Sequence, residues 1–377
     1  MKVVNDHIIG HFELQAHIGV SLAEDAATIE RLTGEQAWLL DSLEDNREMA
    51  ISGGAGSGKS VLAIEKAVRD ARVGRRSLLT CFNAPLAKYL QSVCEGEENL
   101  EVRSFHSLCR MTADAGGIAM ANTSDRIYFE RLLPEALIEA VAGDLELGFD
   151  TVLVDEGQDF RDSWLNALRL TLKDPEESRF YVFYDNNQRL FSPDQEYIDA
   201  LPHAGLTLSR NLRNTRRIHA LISKWHEGKK SVAAGPEGQE IGVLDSPSSH
   251  EALTKVGTRL RTLLQSGEVT AGQVAILTSH GDPGSFPAKV AGVPTCSAYE
   301  IRPDAVIFDT VRRFKGLSRP CVFLIGLDRL TDPELIYVAT SRANLLLELV
   351  GTTRDISFIM QADLLLCCAG NPFAAIQ

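Results

Sequence analysis

The sequence contains no apolar run approaching the roughly 20 residues that a membrane-spanning helix needs. Leu364–Ala369 is apolar but short, which is typical of a small buried element. The first residues, Met1–His7, also lack the long apolar region of a signal peptide. We therefore expect a cytoplasmic protein without a membrane segment.

Cysteine is sparse and scattered. The seven cysteines include no C-x-x-C pair and their total is odd, so we expect reduced thiols in the core. His7, His11 and His17 could suggest a metal site. No cysteine or carboxylate at ligand spacing accompanies them, which favours an ordinary packed or solvated segment.

An excess of positive charge is missing as well. The chain has 38 Lys and Arg against 51 Asp and Glu, and its net charge is −13. This balance argues against a protein that coats duplex DNA, because such binding depends on many phosphate contacts from basic side chains. A narrow, locally basic groove for a nucleic acid is still compatible with it.

Length and pattern indicate two α/β domains. A chain of 377 residues is too long for a single domain of typical size. Since domains usually contain about 150–200 residues, this length predicts two domains. Apolar strands alternate with amphipathic helices, which predicts parallel sheets covered by helices on both faces. We expect a leader at 1–31, a first domain at 32–204 and a second at 205–377. The predicted strands are Met49–Ser52, Ser77–Phe82, Leu100–Arg103, Thr151–Val154 and Arg179–Tyr184, then Val274–Leu277, Ala305–Phe308, Cys321–Ile325 and Leu346–Val350.

The most specific pattern is the glycine-rich stretch after the first of these strands. It satisfies G-x-x-x-x-G-K-[ST], the phosphate-binding loop. Glycines let backbone N–H groups form an anion-binding nest, and the N-terminus of the following helix adds positive potential. Lys59 would reach the β- and γ-phosphates, and the Ser60 hydroxyl would bind Mg²⁺. The residues expected to bind the nucleotide here are Gly53, Gly54, Ala55, Gly56, Ser57, Gly58, Lys59, Ser60 and Val61.

Two acidic residues follow a later apolar strand, where a phosphate loop needs its partner. Asp155 can hold Mg²⁺ through water, and Glu156 can orient and deprotonate the attacking water. Adjacent acids usually form a solvated turn, but the preceding buried strand favours catalysis. Gln188 follows the next strand and could sense the γ-phosphate. Arg213 and Arg342 are ordinary surface charges in one interpretation and arginine fingers in the other.

The order of the motifs resembles that of the UvrD-like superfamily 1 DNA helicases, over about residues 32 to 351. The wordings R-N-L-R-N-T-R and R-R-F-K-G-L are most similar to helicase modules that elsewhere follow a nuclease-related domain. The matching segments are Gln36 at the Q motif, Gly53–Ser60 at motif I, Phe82 in T-C-F-N at motif Ia, His106 in S-F-H-S, 155–160 as D-E-G-Q-D-F, 185–188 as D-N-N-Q, Arg213 in N-L-R, 310–317 at motif V and 337–343 as Y-V-A-T-S-R-A.

This resemblance implies two RecA-like domains with ATP and Mg²⁺ in the cleft between them, acting as a monomer on single-stranded DNA. Gln36 would read adenine, and Gly316 would also lie at the nucleotide. A partner protein or nuclease could complete the activity. The residues expected at the nucleic acid are Phe82, Asn83, His106, Phe191, Thr310 and Arg312. From the sequence alone, Phe82 and Phe191 could equally be core residues.

The sequence departs from the family pattern in ways that bear on function. Leu212 replaces the Tyr that stacks on adenine, and Ser318 replaces the Glu that contacts ribose, so base and sugar selectivity should be looser. The family's DNA-stacking Trp after Gln188 is absent. The stretches Leu108–Val152 and Arg213–Phe308 are short, so we expect reduced or absent accessory insertions, which in the family help to split duplexes.

Two functions fit this pattern. The first is an ATP-driven motor on single-stranded DNA, moving 3′ to 5′ by resemblance, in DNA repair, replication or defence. The second is a nucleotide-switched binding module that has lost translocation and signals to a partner. Acidic charge and missing insertions favour the second, and the complete set Glu156, Gln188, Arg213 and Arg342 favours the first.

Replacing Lys59 by Ala should abolish nucleotide hydrolysis, because it removes the charge expected on the β- and γ-phosphates. The fold should survive, since we expect the loop to be exposed. The measurement is steady-state hydrolysis by the purified variant beside the parent. Turnover close to that of the parent would contradict the phosphate-loop assignment.

Overall fold

The chain forms two compact units, which divide between Ser209 and Arg210. The computed structural model describes residues 24–29, 46–119, 125–185, 198, 201, 207–226 and 231–360. The predicted boundary at 204 and 205 and the predicted site residues Gln36, Gln188 and Phe191 lie outside these ranges. Within the expected leader, 24–29 is helical and belongs to the second unit, where Ala26 and Ile29 pack against the core.

The first unit is a parallel sheet with helices between its strands. The Thr-Val-Leu-Val-Asp strand before Glu156 is buried at all five positions, which is typical of parallel strands covered on both faces. Its strands are β1 (Glu48–Gly53), β2 (Ser77–Cys81), β3 (Leu100–Ser104), β4 (Thr151–Asp155), β5 (Arg179–Tyr184) and β6 (Thr207–Leu208), and its helices are α1 (Lys59–Arg72), α2 (Ala84–Val93), α3 (Phe105–Ala115), α4 (Leu133–Gly143) and α5 (Asp162–Arg169), with a π-helical segment, Tyr128–Leu132, before α4.

The strand order of this sheet is β3-β2-β4-β5-β1-β6, and every neighbouring pair is parallel. Strands β1 and β4, which precede the glycine-rich loop and the acidic pair, are therefore not neighbours, because β5 lies between them. Parallel strands place their carboxyl ends at one edge of a sheet, which is where ligands bind in such folds. This order brings the ends of β1, β5 and β4 together at that edge.

The second unit is also built on a largely parallel sheet. Its strands are β7 (Arg210–Asn211), β8 (Val232–Ala233), β9 (Gly242–Asp245), β10 (Val274–Thr278), β11 (Lys289–Val290), β12 (Val293–Cys296), β13 (Val306–Thr310), β14 (Arg319–Ile325) and β15 (Ala343–Gly351), and its helices are α6 (Arg216–Ile222), α7 (Ser249–Gln265), α8 (Pro333–Thr340) and α9 (Thr353–Met360). The sheet order is β11-β12-β13-β10-β14-β15-β9, with β11 and β12 antiparallel. Strands β7 and β8 form a separate parallel pair.

The fold class expected from the sequence is confirmed: the protein is α/β with parallel sheets. All nine predicted strands are present, with ends shifted by a few residues at most. The strands that the sequence did not predict are short or lie at sheet edges, such as β6, β9 and β11. Edge strands are partly exposed, as the alternating exposure of β9 shows, so they lack the continuous apolar run that marks a central strand.

The described ranges bear on three expectations from the sequence, about cysteines, membrane segments and metal sites. Five cysteines there are buried and free, as predicted, and burial raises the pKa of Cys94 to about 12. Within the same ranges no helix is long and apolar enough to span a bilayer. Nor do these ranges bring together three or more His, Cys, Asp or Glu side chains that could hold a metal ion.

A buried ionic cluster ties α1 to the start of β4. Asp70 accepts from Lys66 Nζ at 2.9 Å, from Arg75 Nη1 at 3.1 Å and from the Thr151 hydroxyl at 3.0 Å. Both Lys66 and Asp70 are almost inaccessible to solvent. Because α1 begins at Lys59 and β4 ends at Asp155, this cluster helps to set the relative position of the two site-bearing elements.

Replacing Asp70 by Asn should destabilise the first unit by roughly 3–5 kcal/mol, because it removes the buried negative charge that accepts hydrogen bonds from Lys66, Arg75 and Thr151. Urea unfolding followed by Trp fluorescence measures this. The matched control is Glu135→Gln, which breaks the exposed Arg131–Glu135 pair and should cost less than about 1 kcal/mol. Equal midpoints for the two variants would contradict the structural role of the cluster.

Candidate functional site

The glycine-rich loop between β1 and α1 has the shape of an anion cradle. Gly56 and Gly58 have φ of 71° and 92°, a left-handed conformation that glycine adopts without strain. A Cβ on Gly53 would lie 2.4 Å from Ser57 Oγ and 3.0 Å from Leu208 Cβ, so a side chain here would require its neighbours to shift. Ser57 Oγ is buried and has no hydrogen-bond partner in the described part of the chain. The first turn of α1 contains no acid, so its positive end is available to an anion.

Lys59 lies inside this cradle. Its Nζ donates to the carbonyl oxygens of Gly53 at 2.7 Å and Gly54 at 3.0 Å, and it lies 3.7 Å from Asp185 Oδ2. The side chain is buried, with a relative exposure of 6% for the residue. The expectation that the loop is exposed is therefore wrong, because backbone carbonyls and the end of β5 enclose the ammonium. Lys59→Met preserves the packing of the stem better than Lys59→Ala.

Asp155 ends β4 and has the character of a metal ligand. The carboxylate is fully buried; Oδ1 accepts from the Glu156 N–H at 3.0 Å, and Oδ2 has no hydrogen-bond partner among the described residues. Burial and the Glu156 charge raise the pKa of Asp155 to about 7, while nearby Ser60 and Lys59 act to lower it. An oxygen-rich pair such as Asp155 and Ser60 fits the ligand preference of Mg²⁺.

Glu156 has an unusual backbone conformation. Its φ of 55° and ψ of 44° are left-handed, which costs a non-glycine residue of order 1–3 kcal/mol and is concentrated at functional sites. The side chain is buried and its Oε2 accepts a hydrogen bond from Gln158 Nε2. Sequence reasoning assigned no role to Gln158 or Asp185, although both stand in the D-E-G-Q-D and D-N-N-Q segments that it singled out.

Two of the predicted nucleic-acid residues of the first unit, Phe82 and His106, belong to an aromatic cluster. The Phe82 ring stacks on Trp164, with centroids 5.7 Å apart and planes at 17°, and meets His106 edge-on at 5.7 Å. Phe82 is half-buried against the core, so one ring face packs within the protein. Trp164 was missed because its position on α5 indicates only a buried helix face. Asn83 directly follows Phe82 and precedes α2.

The surroundings of His106 favour its neutral form. Burial and the Arg110 charge lower its pKa, although the Phe129 carbonyl opposes this. With the ring neutral, Nε2–H donates to that carbonyl at 3.2 Å. A neutral imidazole offers a flat ring and hydrogen bonding rather than charge, which suits contact with a base better than with a phosphate.

Arg213 and its neighbours are held together within the second unit. Arg213 Nη2 donates to Ser318 Oγ at 3.1 Å, which links it to the position where the family pattern has Glu. Asn214 Nδ2 donates to the carbonyl of Ala343 at 2.6 Å and lies 3.3 Å from that of Ser341. The Arg213 and Arg342 segments are therefore joined through Asn214, which sequence reasoning missed. Leu212 is 1% exposed and forms part of the interior.

Arg342 is not an ordinary solvated charge. It is 5% exposed, and its guanidinium donates to the carbonyls of Val338 at 2.9 Å and Leu317 at 3.1 Å and to the Ser341 hydroxyl at 2.7 Å. These contacts fix the plane of the guanidinium. The alternative of a surface charge is therefore wrong for this residue.

Thr310, Arg312 and Gly316, which the sequence also predicts to be site residues, lie at the end of β13 and in the segment that follows it. Thr310 ends β13, and its Oγ1 accepts from the Arg313 N–H at 3.3 Å. Arg312 is exposed, while its neighbour Arg313 pairs with Asp309 at 3.4 Å. Gly316 has φ of 83°, so the segment turns where glycine is required.

Together these features define an α/β protein with a phosphate-type loop and a buried acidic pair at one sheet edge. No protein-family model matches the chain, and no curated protein matches it in sequence.

Solved structures do match it. They include the crystal structure of Arterivirus nonstructural protein 10 (helicase), with 15% identity, TM-score 0.40, and coverage of 83% of this chain and 62% of that one. A complex of that protein with DNA has 13% identity, a TM-score of 0.41, and coverage of 83% of this chain and 63% of that one. The PRRSV helicase has 14% identity, a TM-score of 0.42, and coverage of 81% of this chain and 52% of that one. The chain thus spans less than two thirds of the length of these proteins.

Glu156→Gln should leave nucleotide binding intact and reduce hydrolysis to a small residual rate, because the amide keeps the shape but cannot accept the proton. Its Oε1 can still accept from Gln158, so the loop should hold its conformation. Fluorescent nucleotide titration and single-turnover hydrolysis measure the two effects. A variant that neither binds nor hydrolyses would indicate a structural role for Glu156.

Proposed function

We propose that this chain is a nucleoside-triphosphate hydrolase that drives a superfamily 1 helicase-like motor on single-stranded nucleic acid. The observation that carries the proposal is the meeting of Lys59, Ser60, Asp155 and Glu156 at the carboxyl edge of one sheet. That set supplies a cation for the phosphates, oxygen ligands for a metal, and a base.

Each residue has a distinct task in this proposal. Lys59 binds the β- and γ-phosphate oxygens, and Ser60 and Asp155 hold Mg²⁺, which when bound neutralises phosphate charge. Glu156 orients the attacking water and takes its proton. Arg213 and Arg342 stay as predicted arginine fingers, and Gln36 and Gln188 as predicted adenine and γ-phosphate contacts.

ATP is the proposed nucleotide, with loose selectivity for the base. Leu212 stands where a stacking Tyr is expected, and it lies in the interior, so it offers no aromatic face. Ser318 is engaged by Arg213 and lacks the carboxylate that would bind both ribose hydroxyls. Recognition should therefore depend mainly on the phosphates, which all nucleoside triphosphates share.

Single-stranded DNA is the proposed track. Phe82, Asn83 and His106 lie together in the first unit, and Thr310 and exposed Arg312 lie at the end of β13 in the second. Stacking of bases on aromatic rings supports sequence-tolerant binding at about 1–3 kcal/mol per base. We also propose that the chain is of the UvrD-like class and resembles the helicase modules that follow a nuclease-related domain. It would act as a monomer in the cytoplasm, in DNA repair, replication or defence.

We expect hydrolysis to be stimulated by single-stranded DNA and duplex separation to be poor. Duplex grip needs many basic contacts, whereas this chain has a net charge of −13 and short stretches between its motifs. A partner or fused domain should restore efficient separation.

The assay compares a single strand with a tailed duplex under single-turnover conditions at matched salt, with Lys59→Met as the inactive control. A hydrolysis rate that single-stranded DNA does not change would favour the nucleotide-switched module instead. Rapid separation of a long duplex by the purified chain alone would contradict the expected lack of duplex grip.

A further inference from the structure

The Gln158 side chain lies between the proposed base and the end of β5. It is fully buried. Its Nε2 donates to Glu156 Oε2, and its Oε1 accepts from the Asp185 backbone N–H at 2.9 Å. The Gln158 amide therefore connects the residue that follows β4 with the residue that follows β5, and these two strands are neighbours in the sheet.

The orientation of this amide follows from its partners. A backbone N–H can only donate, so the oxygen of Gln158 must face Asp185. The NH₂ group then faces Glu156 and can only donate to its carboxylate. A Gln amide is normally ambiguous in orientation, but here the Asp185 backbone removes the ambiguity.

The loop that carries Glu156 is packed tightly against β5. A Cβ on Gly157 would lie 2.4 Å from Val182 Cγ1, and the Glu156 carbonyl accepts from the Asp159 N–H at 3.0 Å. The left-handed Glu156 backbone is thus held in place by its own turn and by β5. The direction of its carboxylate is then set by the donor that meets it, which is Gln158.

Asp185 extends this connection to the phosphate loop. Its Oδ2 lies 3.7 Å from Lys59 Nζ, and both side chains are buried. The contacts therefore run from Lys59 to Asp185, through the Gln158 amide, to Glu156. A shift of the residue that follows β5 would be felt at the carboxylate of the base.

We propose that Gln158 is a positioning residue for nucleotide hydrolysis, which holds the Glu156 carboxylate in its working orientation and couples it to the end of β5. This rests on the proposed function, in which Glu156 is the base. In this proposal Gln158 acts through Glu156 and has no direct role at the phosphates or the metal. Its loss should lower turnover and leave nucleotide binding to the loop and Lys59.

Two variants test this. Gln158→Met keeps a similar length and removes both hydrogen bonds, while Gln158→Glu keeps an oxygen for the Asp185 N–H and replaces the donor that faces Glu156. Each should lower kcat about 10- to 100-fold, as loss of an orienting partner typically does, with nucleotide affinity unchanged. In a Glu156→Gln background neither should lower the residual rate further, because the group that they orient is already gone.

Unchanged kcat in both variants would overturn the proposal. A fall in affinity and kcat together, repeated in the Glu156→Gln background, would also overturn it in favour of a purely structural role. Absence of hydrolysis in the parent chain would instead contradict the proposed function, and a second measurement separates that case.

That measurement needs no nucleotide. The side-chain ¹⁵NH₂ resonances of Gln158 are assigned by their loss in Gln158→Met. They should shift in Glu156→Gln, where an amide replaces the carboxylate that accepts the bond, and stay in place in the exposed-site control Glu135→Gln. If these resonances do not shift in Glu156→Gln, the hydrogen bond between Gln158 and Glu156 does not exist.

Discussion

Parallel pairing of β1, β5 and β4 is the constraint on which the candidate site depends. β5 pairs with β1 from Glu48 opposite Phe180 to Ser52 opposite Tyr184, and with β4 on its other side. Because these strands run in one direction, the chain leaves all three at the same edge. A slip of one residue would turn every side chain to the opposite face, and burial on both faces opposes it.

The price of that arrangement is a concentration of buried polar groups. Lys59, Asp155, Glu156 and Gln158 are all at most 7% exposed. Burial disfavours the charged form of a carboxylate, and it is the main cause of the raised pKa of Asp155. Such groups persist where hydrogen bonds or a ligand satisfy them. The opposite end of β4 is stabilised by the Asp70 cluster through the Thr151 hydroxyl. Strand β4 is therefore anchored at the end away from Asp155 and Glu156.

The second unit uses neutral contacts for a similar purpose. Asn211 Nδ2 donates to Asn214 Oδ1 at 2.8 Å, and Asn214 in turn donates to the carbonyls flanking Arg342. Arg342 donates to main-chain carbonyls and a hydroxyl. These hydrogen bonds fix the orientation of the Arg342 guanidinium within the second unit.

Local pattern was enough to predict the α/β class, the central strands, the phosphate loop and the acidic pair. Buried parallel strands leave continuous apolar runs, and a loop that encloses phosphate needs glycines and a lysine at defined spacing. The contacts between segments distant in the chain could not be predicted this way: Lys59 with Asp185, Gln158 with Asp185, Phe82 with Trp164, and Asn214 with Ala343. Each depends on strand order and on which helix covers which strand. The insertion of β5 between β1 and β4 follows from how whole elements pack, and no short stretch of sequence encodes it.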